Sequence, residues 1–168
     1  MVARGEDVRR SGAPSRAFFD TSVLLGGLIE LGLASEPAQK IMSAISAGQV
    51  RRPYTAWHCC LEFYAVSTRL PEELRLSPTD AWRLIQEEIL RRFEVRQLPD
   101  EHRRSFFQAA AEDRLVGGRI YDEHIAEIAR MARVPLVVTD NIRHFSGLGR
   151  HGITVVTASQ FAEMIKAT

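Results

Sequence analysis

The chain has 168 residues, enough for one domain with a single sizeable core, and its 45% apolar and 26% charged content is that of a soluble globular protein. Its 22 basic and 21 acidic residues leave a net charge of +1, so charge alone announces no polyanionic partner. No apolar run approaches the ~18 residues that span a bilayer, and the polar, arginine-rich opening lacks the apolar centre of a secretory signal. Cys59 and Cys60 are adjacent and make no C-x-x-C pair, which speaks against a disulfide scaffold or zinc knuckle and fits a reducing cytoplasm.

Residues 1–16, with Gly5, Gly12 and Pro14 among mixed charges, read as a disordered lead-in, and 17–168 as one domain. From there short β-like runs alternate with helical patterns, which argues for an α/β domain with a mainly parallel sheet. Ala17-Phe18-Phe19-Asp20 is the first strand, and an apolar helix follows from Ser22 to about Leu33. A second helix runs from Ser35, with Pro37 in its first turn, to about Gly48. Val50–Thr55 is a strand, and a third helix spans Ala56 to Leu70, before Pro71. Ser77-Pro78 supplies the cap and first residue of a helix reaching Arg92. Phe93–Leu98 alternates like a strand, and Asp100 caps a helix to about Leu115. After Gly117-Gly118 a helix covers Ile120 to Arg133. Leu136–Thr139 is an apolar strand of the kind buried in parallel sheets, and Ile153–Val156 is the last strand. Thr157-Ala158-Ser159-Gln160 is a capping box for the terminal helix.

Open parallel sheets bind ligands outside the carboxyl ends of their strands. Asp20 ends the first strand and Asp140 directly follows Leu136–Thr139, so both fall there; the plainer role for either is a helix cap. In the third helix Cys59, Phe63, Val66 and Leu70 form an apolar stripe, and Glu62 lies at its border. In the helix from Ile120, Asp122 aligns with the apolar Ile125, Ala126 and Ala129, whereas Glu123 aligns with Glu127 and Arg130 on a solvated face. Burying a carboxylate costs several kcal/mol unless it meets a counter-charge or a metal. Four inward acids therefore suit Mg²⁺ or Mn²⁺, hard cations that bind oxygen and bridge phosphates. With those four set apart, 17 acids face 22 bases, which leaves the remaining surface at about +5, a reasonable surround for a phosphodiester.

The runs Phe-Phe-Asp-Thr-Ser-Val-Leu-Leu (18–25), Leu-Glu-Phe-Tyr-Ala-Val-Ser-Thr-Arg (61–69), Gly-Gly-Arg-Ile-Tyr-Asp (117–122) and Val-Val-Thr-Asp-Asn-Ile-Arg-His-Phe (137–145) resemble, in order and spacing, the acidic motifs of PIN-domain ribonucleases. The VapC-like toxins of toxin–antitoxin pairs are the most similar branch, and the resemblance covers residues 17–165. It implies a three-layer α/β/α sandwich around a parallel sheet. It also implies Mg²⁺- or Mn²⁺-dependent endonucleolytic cleavage of RNA, a cognate antitoxin, a homodimer and a cytoplasmic location. Asp20, Glu62 and Asp122 match the first three acids and the metal ligands; Ser22, Thr139 and Asn141 match groups that support them. The last motif departs from the pattern: many relatives place an acid at the position of Asn141 or His144, and here the carboxylate is Asp140.

Arg119, Arg143 and His144 are candidate RNA contacts beside the motifs, as are Arg16, Arg51, Arg52 and Arg69, with solvated surface charge the plainer role. His124 follows Asp122 by two, about 200° around a helix, and is expected on the exposed side. Gly26-Gly27 lacks the spacing of a phosphate-binding loop and is expected to ease helix packing. Trp57, Phe63 and Tyr64 read as core or dimer-face residues. Two other functions stay open: a non-catalytic RNA- or protein-binding module on the same fold, and a phosphatase with Asp20 as nucleophile. Ser22 stands where the phosphatase chemistry wants a second Asp.

Overall fold

A computed structural model describes residues 16–166. The expected lead-in, apart from Arg16, lies outside them. Five strands, β1 (Arg16–Phe19), β2 (Arg52–Ala56), β3 (Glu94–Arg96), β4 (Leu136–Val138) and β5 (Thr154–Val156), form one sheet in the order β3-β2-β1-β4-β5. Every pairing is parallel. The helices are α1 (Thr21–Leu28), α2 (Glu36–Ser46), α3 (Trp57–Ser67), α4 (Pro78–Leu84), α5 (Asp100–Glu112), α6 (Arg119–Met131), α7 (Ile142–Phe145) and α8 (Ala158–Lys166). The whole is the expected three-layer α/β/α sandwich. Among the described residues no helix is long and apolar enough to cross a membrane.

The apolar runs explain the middle of the sheet. A central parallel strand is covered on both faces, so its residues are apolar without alternation. Ala17, Phe18 and Phe19 of β1 are fully buried, as are Val137 and Val138 of β4. Phe19 sets its ring edge-on to Phe93 and Phe161, with centroids 5.9 and 5.3 Å apart, which ties β1 to the segment before β3 and to α8. From β1 the chain builds outward to β2 and β3 on one side, then returns to lay β4 and β5 on the other. The order therefore reverses between β1 and β4, and the carboxyl ends of those two strands flank the crevice where such sheets bind ligands.

Caps set the helix starts. The Asp80 amide donates to Ser77 Oγ at 3.0 Å with Pro78 opening α4, and Thr157 and Gln160 form the reciprocal capping box of α8. At α5 the cap position belongs to Pro99; Asp100 is the first helical residue and pairs with Arg103 at 2.8 Å. The helix from Pro78 changes to a π-helical turn over Ile85–Leu90. The first helix stops at Leu28, short of the expected Leu33, because the chain turns extended at Ile29 and Gly32 takes φ +92°.

The paired glycines earn their place at the α1–α2 contact. A Cβ on Gly27 would run into the Met42 side chain and stand 3.1 Å from the Ala38 carbonyl, and one on Gly26 would meet Ala38 Cβ at 3.2 Å. Gly27→Val is expected to push the two helices apart and lower stability by about 1–3 kcal/mol in urea unfolding; an unchanged midpoint would show that the approach is not tight.

Candidate functional site

Asp20 leaves the carboxyl end of β1 already fixed by its backbone. Its amide donates to the Val138 carbonyl at 3.0 Å, and its own carbonyl accepts from Val23 and Leu24 at the start of α1. The carboxylate stands at the cap position of α1 but makes no capping hydrogen bond there. It accepts instead from Thr139 Oγ1 at 2.7 Å and Ser22 Oγ at 3.3 Å. Those hydroxyls are themselves engaged, Thr139 accepting from the Asn141 amide at 3.0 Å and Ser22 from the Asp140 amide at 3.1 Å. The three groups expected to support the acids thus join the end of β1 to the loop after β4.

Glu62 comes from α3, which packs on α1. Its Oε2 accepts from Thr21 Oγ1 at 2.5 Å, and His58 Nε2 stands 3.5 Å from Oε1, an ion-pair distance. Burial pushes the Asp20 carboxyl up to about 6 and the negative charge of Glu62 adds to the rise, against hydrogen bonds from Thr139, the Thr21 amide and Ser22. Glu62 moves the other way. Burial raises it, but His58 and the Thr21 hydroxyl bring it below the ordinary glutamate value. Among the described residues no lysine or arginine pairs with either acid.

Asp122, in the first turn of α6, has its Oδ2 2.6 Å from His144 Nδ1, and the same ring nitrogen is 2.8 Å from Asn141 Nδ2. That nitrogen donates to Asp122 when it carries the proton and accepts from Asn141 when it does not. Asp122 is thus linked to Asp20 through His144, Asn141 and Thr139. Asp140 is used differently: its Oδ1 accepts from the amide of Ala158 at 3.2 Å, at the start of α8. No hydrogen bond or ion pair joins the Asp140 carboxylate to the other three acids among the described residues. Of the three alternatives for the departing position, only His144 reaches Asp122, and Asn141 contacts His144.

The oxygen-only donors of Asp20 and Glu62, repelling one another with no lysine or arginine paired to them among the described residues, fit a hard divalent cation. Among the described residues no three His, Cys, Asp or Glu side chains stand together as a ready metal site. The fit therefore rests on the Asp20–Glu62 pair, to which Asp122 is joined only through His144, Asn141 and Thr139.

Arg119, Arg143 and His144 do converge, lining with Asp122 and Arg150 a groove of about 620 Å³. Arg16 and Arg52 do not. They lie at the amino ends of β1 and β2, opposite the site, where both guanidinium groups stand over the Tyr54 ring, Arg16 binds the Ala132 carbonyl and Arg52 pairs with Glu94. His124 corrects the helical-phase expectation: it is half-buried, with its ring centroid 5.3 Å from His58 and 5.4 Å from Phe106, because α5 covers that face of α6. Glu123 is likewise half-buried instead of solvated. Phe63 is core, whereas Trp57 and Tyr64 are exposed. Sequence reasoning missed Thr21, His58 and Arg150. His58 carried a signal, since it precedes Glu62 by four on one helix face. Cys59 and Cys60 are buried and unpaired, with burial pushing their thiols up to about 12 and about 11, so they offer no nucleophile.

A sequence profile of the PIN domain matches residues 16–143. The chain is 33% identical over 102 residues to Ribonuclease VapC27 of Mycobacterium tuberculosis (strain ATCC 25618 / H37Rv), a stretch that covers 61% of this chain and 72% of that protein. Among solved structures it is similar to FitAB bound to an IR36 DNA fragment, with a TM-score of 0.58 at 14% identity over 85% of this chain and 95% of that one. It is also similar to DNA-bound VapBC from Salmonella typhimurium, with a TM-score of 0.57 at 18% identity over 85% and 98%. These two likenesses concern the fold.

The raised carboxyl of Asp20 has a consequence for stability. A folded-state value of about 6 against an ordinary 3.8 means that the native state holds its proton more tightly than the unfolded chain. The resulting stability is present below about pH 4 and is lost as pH rises through 6, by about 3 kcal/mol in all. In chelator, Asp20→Asn is expected to raise the melting temperature at pH 8, with the gap closing toward pH 4. A gap that stays constant with pH, or has the opposite sign, would contradict the burial of an uncompensated carboxylate.

Proposed function

This chain belongs to the PIN domain family, and from that premise we propose that it is a divalent-metal-dependent endoribonuclease, the toxin of a toxin–antitoxin pair acting in the cytoplasm. The observation that carries the reading is the buried Asp20 beside Glu62, with no lysine or arginine paired to either among the described residues, at the point where the strand order reverses. The sequence likeness to a VapC ribonuclease supports the RNA substrate and the reaction class.

Asp20 and Glu62 would hold Mg²⁺ or Mn²⁺, with Asp122 the third carboxylate. Such an ion, when bound, would supply Lewis acidity for activating water and positive charge against the phosphate. The chain's own groups orient and position. Thr139 and Ser22 fix the rotamer of Asp20, Thr21 fixes Glu62, and His144 with Asn141 holds Asp122. Arg119, Arg143 and Arg150 line the groove beside Asp122 and would receive flanking phosphates. The acids also suit a cationic side chain from an antitoxin, a partner that the FitAB and VapBC assemblies support. On α3, Trp57, Leu61 and Tyr64 stand exposed at positions i, i+4 and i+7, a face suited to a second copy in a homodimer.

A second reading, a non-catalytic binding module, is favoured by the engagement of Asp122 with His144 and of Asp140 with Ala158. Cleavage and metal binding separate the two. The expected result is RNA hydrolysis with Mg²⁺ or Mn²⁺ that stops with chelator and with Asp20→Asn. In calorimetry, Thr139→Val is expected to weaken metal binding about 10–100-fold. A protein that binds neither ion at millimolar concentration is the non-catalytic module.

A further inference from the structure

A second cavity, of about 420 Å³, lies against the face of α6 that carries Ile120, Tyr121 and His124, between α6, α5 and the start of α3. His58, Arg103, Phe106, Phe107, Tyr121 and His124 line it. Five of these carry rings in successive contact: Phe107 on Phe106 (5.6 Å between centroids), Phe106 on His124 (5.4 Å), His124 on His58 (5.3 Å), and His58 stacked on Tyr121 (5.3 Å, planes 27° apart). The inner rings are shielded, while the outer two are open, Phe107 at 63% and Tyr121 at 54% exposure. Exposed aromatic rings at the two ends of a cavity form a platform for a flat ring.

Its position says what the flat ring belongs to. His58 is 3.5 Å from Glu62, and Tyr121 is the chain neighbour of Asp122. The cavity therefore shares one of its walls, His58, with the Glu62 end of the acid site. Arg103 adds a planar cation at the wall, anchored by Asp100 at 2.8 Å, able to stack on a base or pair with a phosphate. A strand whose phosphate is engaged at Glu62 would bring an adjacent base to this cavity past His58.

We propose that this cavity is a nucleobase subsite, which takes one unpaired base of the RNA beside the phosphate that the acids engage. The proposal rests on the ribonuclease reading and narrows its substrate to RNA that is single-stranded there, because a paired base cannot present its face to the rings. Stacking sets no base identity, so the subsite selects exposure of a base over its sequence.

The test is the affinity of the full chain, carrying Asp20→Asn to prevent cutting, for a short fluorescein-labelled single-stranded RNA and for an abasic ribose–phosphate strand of the same length. Phe107→Ala and Tyr121→Leu alter exposed rings, and their melting temperatures report whether the fold is kept. Each is expected to weaken binding of the base-bearing RNA about five- to a hundredfold and to leave the abasic strand unchanged. Equal loss on both strands, or no loss on either, overturns the subsite while leaving the nuclease reading intact. Loss of antitoxin binding with RNA affinity retained also overturns it and makes the cavity a protein-docking pocket. A parent chain that binds neither strand overturns the nuclease reading and the subsite together.

Discussion

The constraint on which the rest depends is a carboxylate that the fold buries and does not neutralise. Asp20 cannot move away from its position. The strand before it is apolar on both faces, its backbone is hydrogen-bonded to β4, and α1 starts one residue later. The hydroxyls of Thr139 and Ser22 orient the group and offset part of its desolvation, but a hydroxyl carries no charge, and Glu62 adds repulsion. Such an arrangement costs stability at neutral pH and makes physical sense where a cation completes it. The neighbouring elements answer to the same point: α3 is placed by its packing on α1 so that Glu62 arrives beside it, and the close α1–α2 approach at Gly26 and Gly27 fixes α1 from the far side.

Much of this was legible along the chain because it is set locally. Ala17-Phe18-Phe19 is apolar without alternation, which marks a strand covered on both faces, and the acid after it must then sit at a carboxyl end. Helical phase singles out Glu62 at the border of an apolar stripe and Asp122 in line with one, each on its own helix. What escaped was decided across the chain. The direction of the Asp140 carboxylate is set by the free amide of Ala158, which reaches it only once β5 has been laid beside β4. His124 was judged from its own helix, and its burial depends on α5 folding over it. Arg16 and Arg52 are near motifs in sequence, yet the direction of a parallel strand puts them at the wrong end of the sheet. Local periodicity gives the face of a residue; it does not give the neighbour that covers the face.

The near-neutral overall charge conceals a local polarity that only the fold resolves. Helix α6 separates two surfaces of different chemistry, an arginine groove formed with the turn after β4 and a ring-lined cavity formed with α3 and α5. A nucleic acid is itself divided this way, with charge on its backbone and flat apolar faces on its bases. A surface that separates the two along one line is matched to a flexible strand whose backbone and bases can part, and is poorly matched to a duplex, which keeps its bases inside. His144 and His58 sit at the two boundaries, one on Asp122 and the other beside Glu62. Each couples an acid to the surface on its side. A change in either flank would therefore be felt at the carboxylates through a single imidazole.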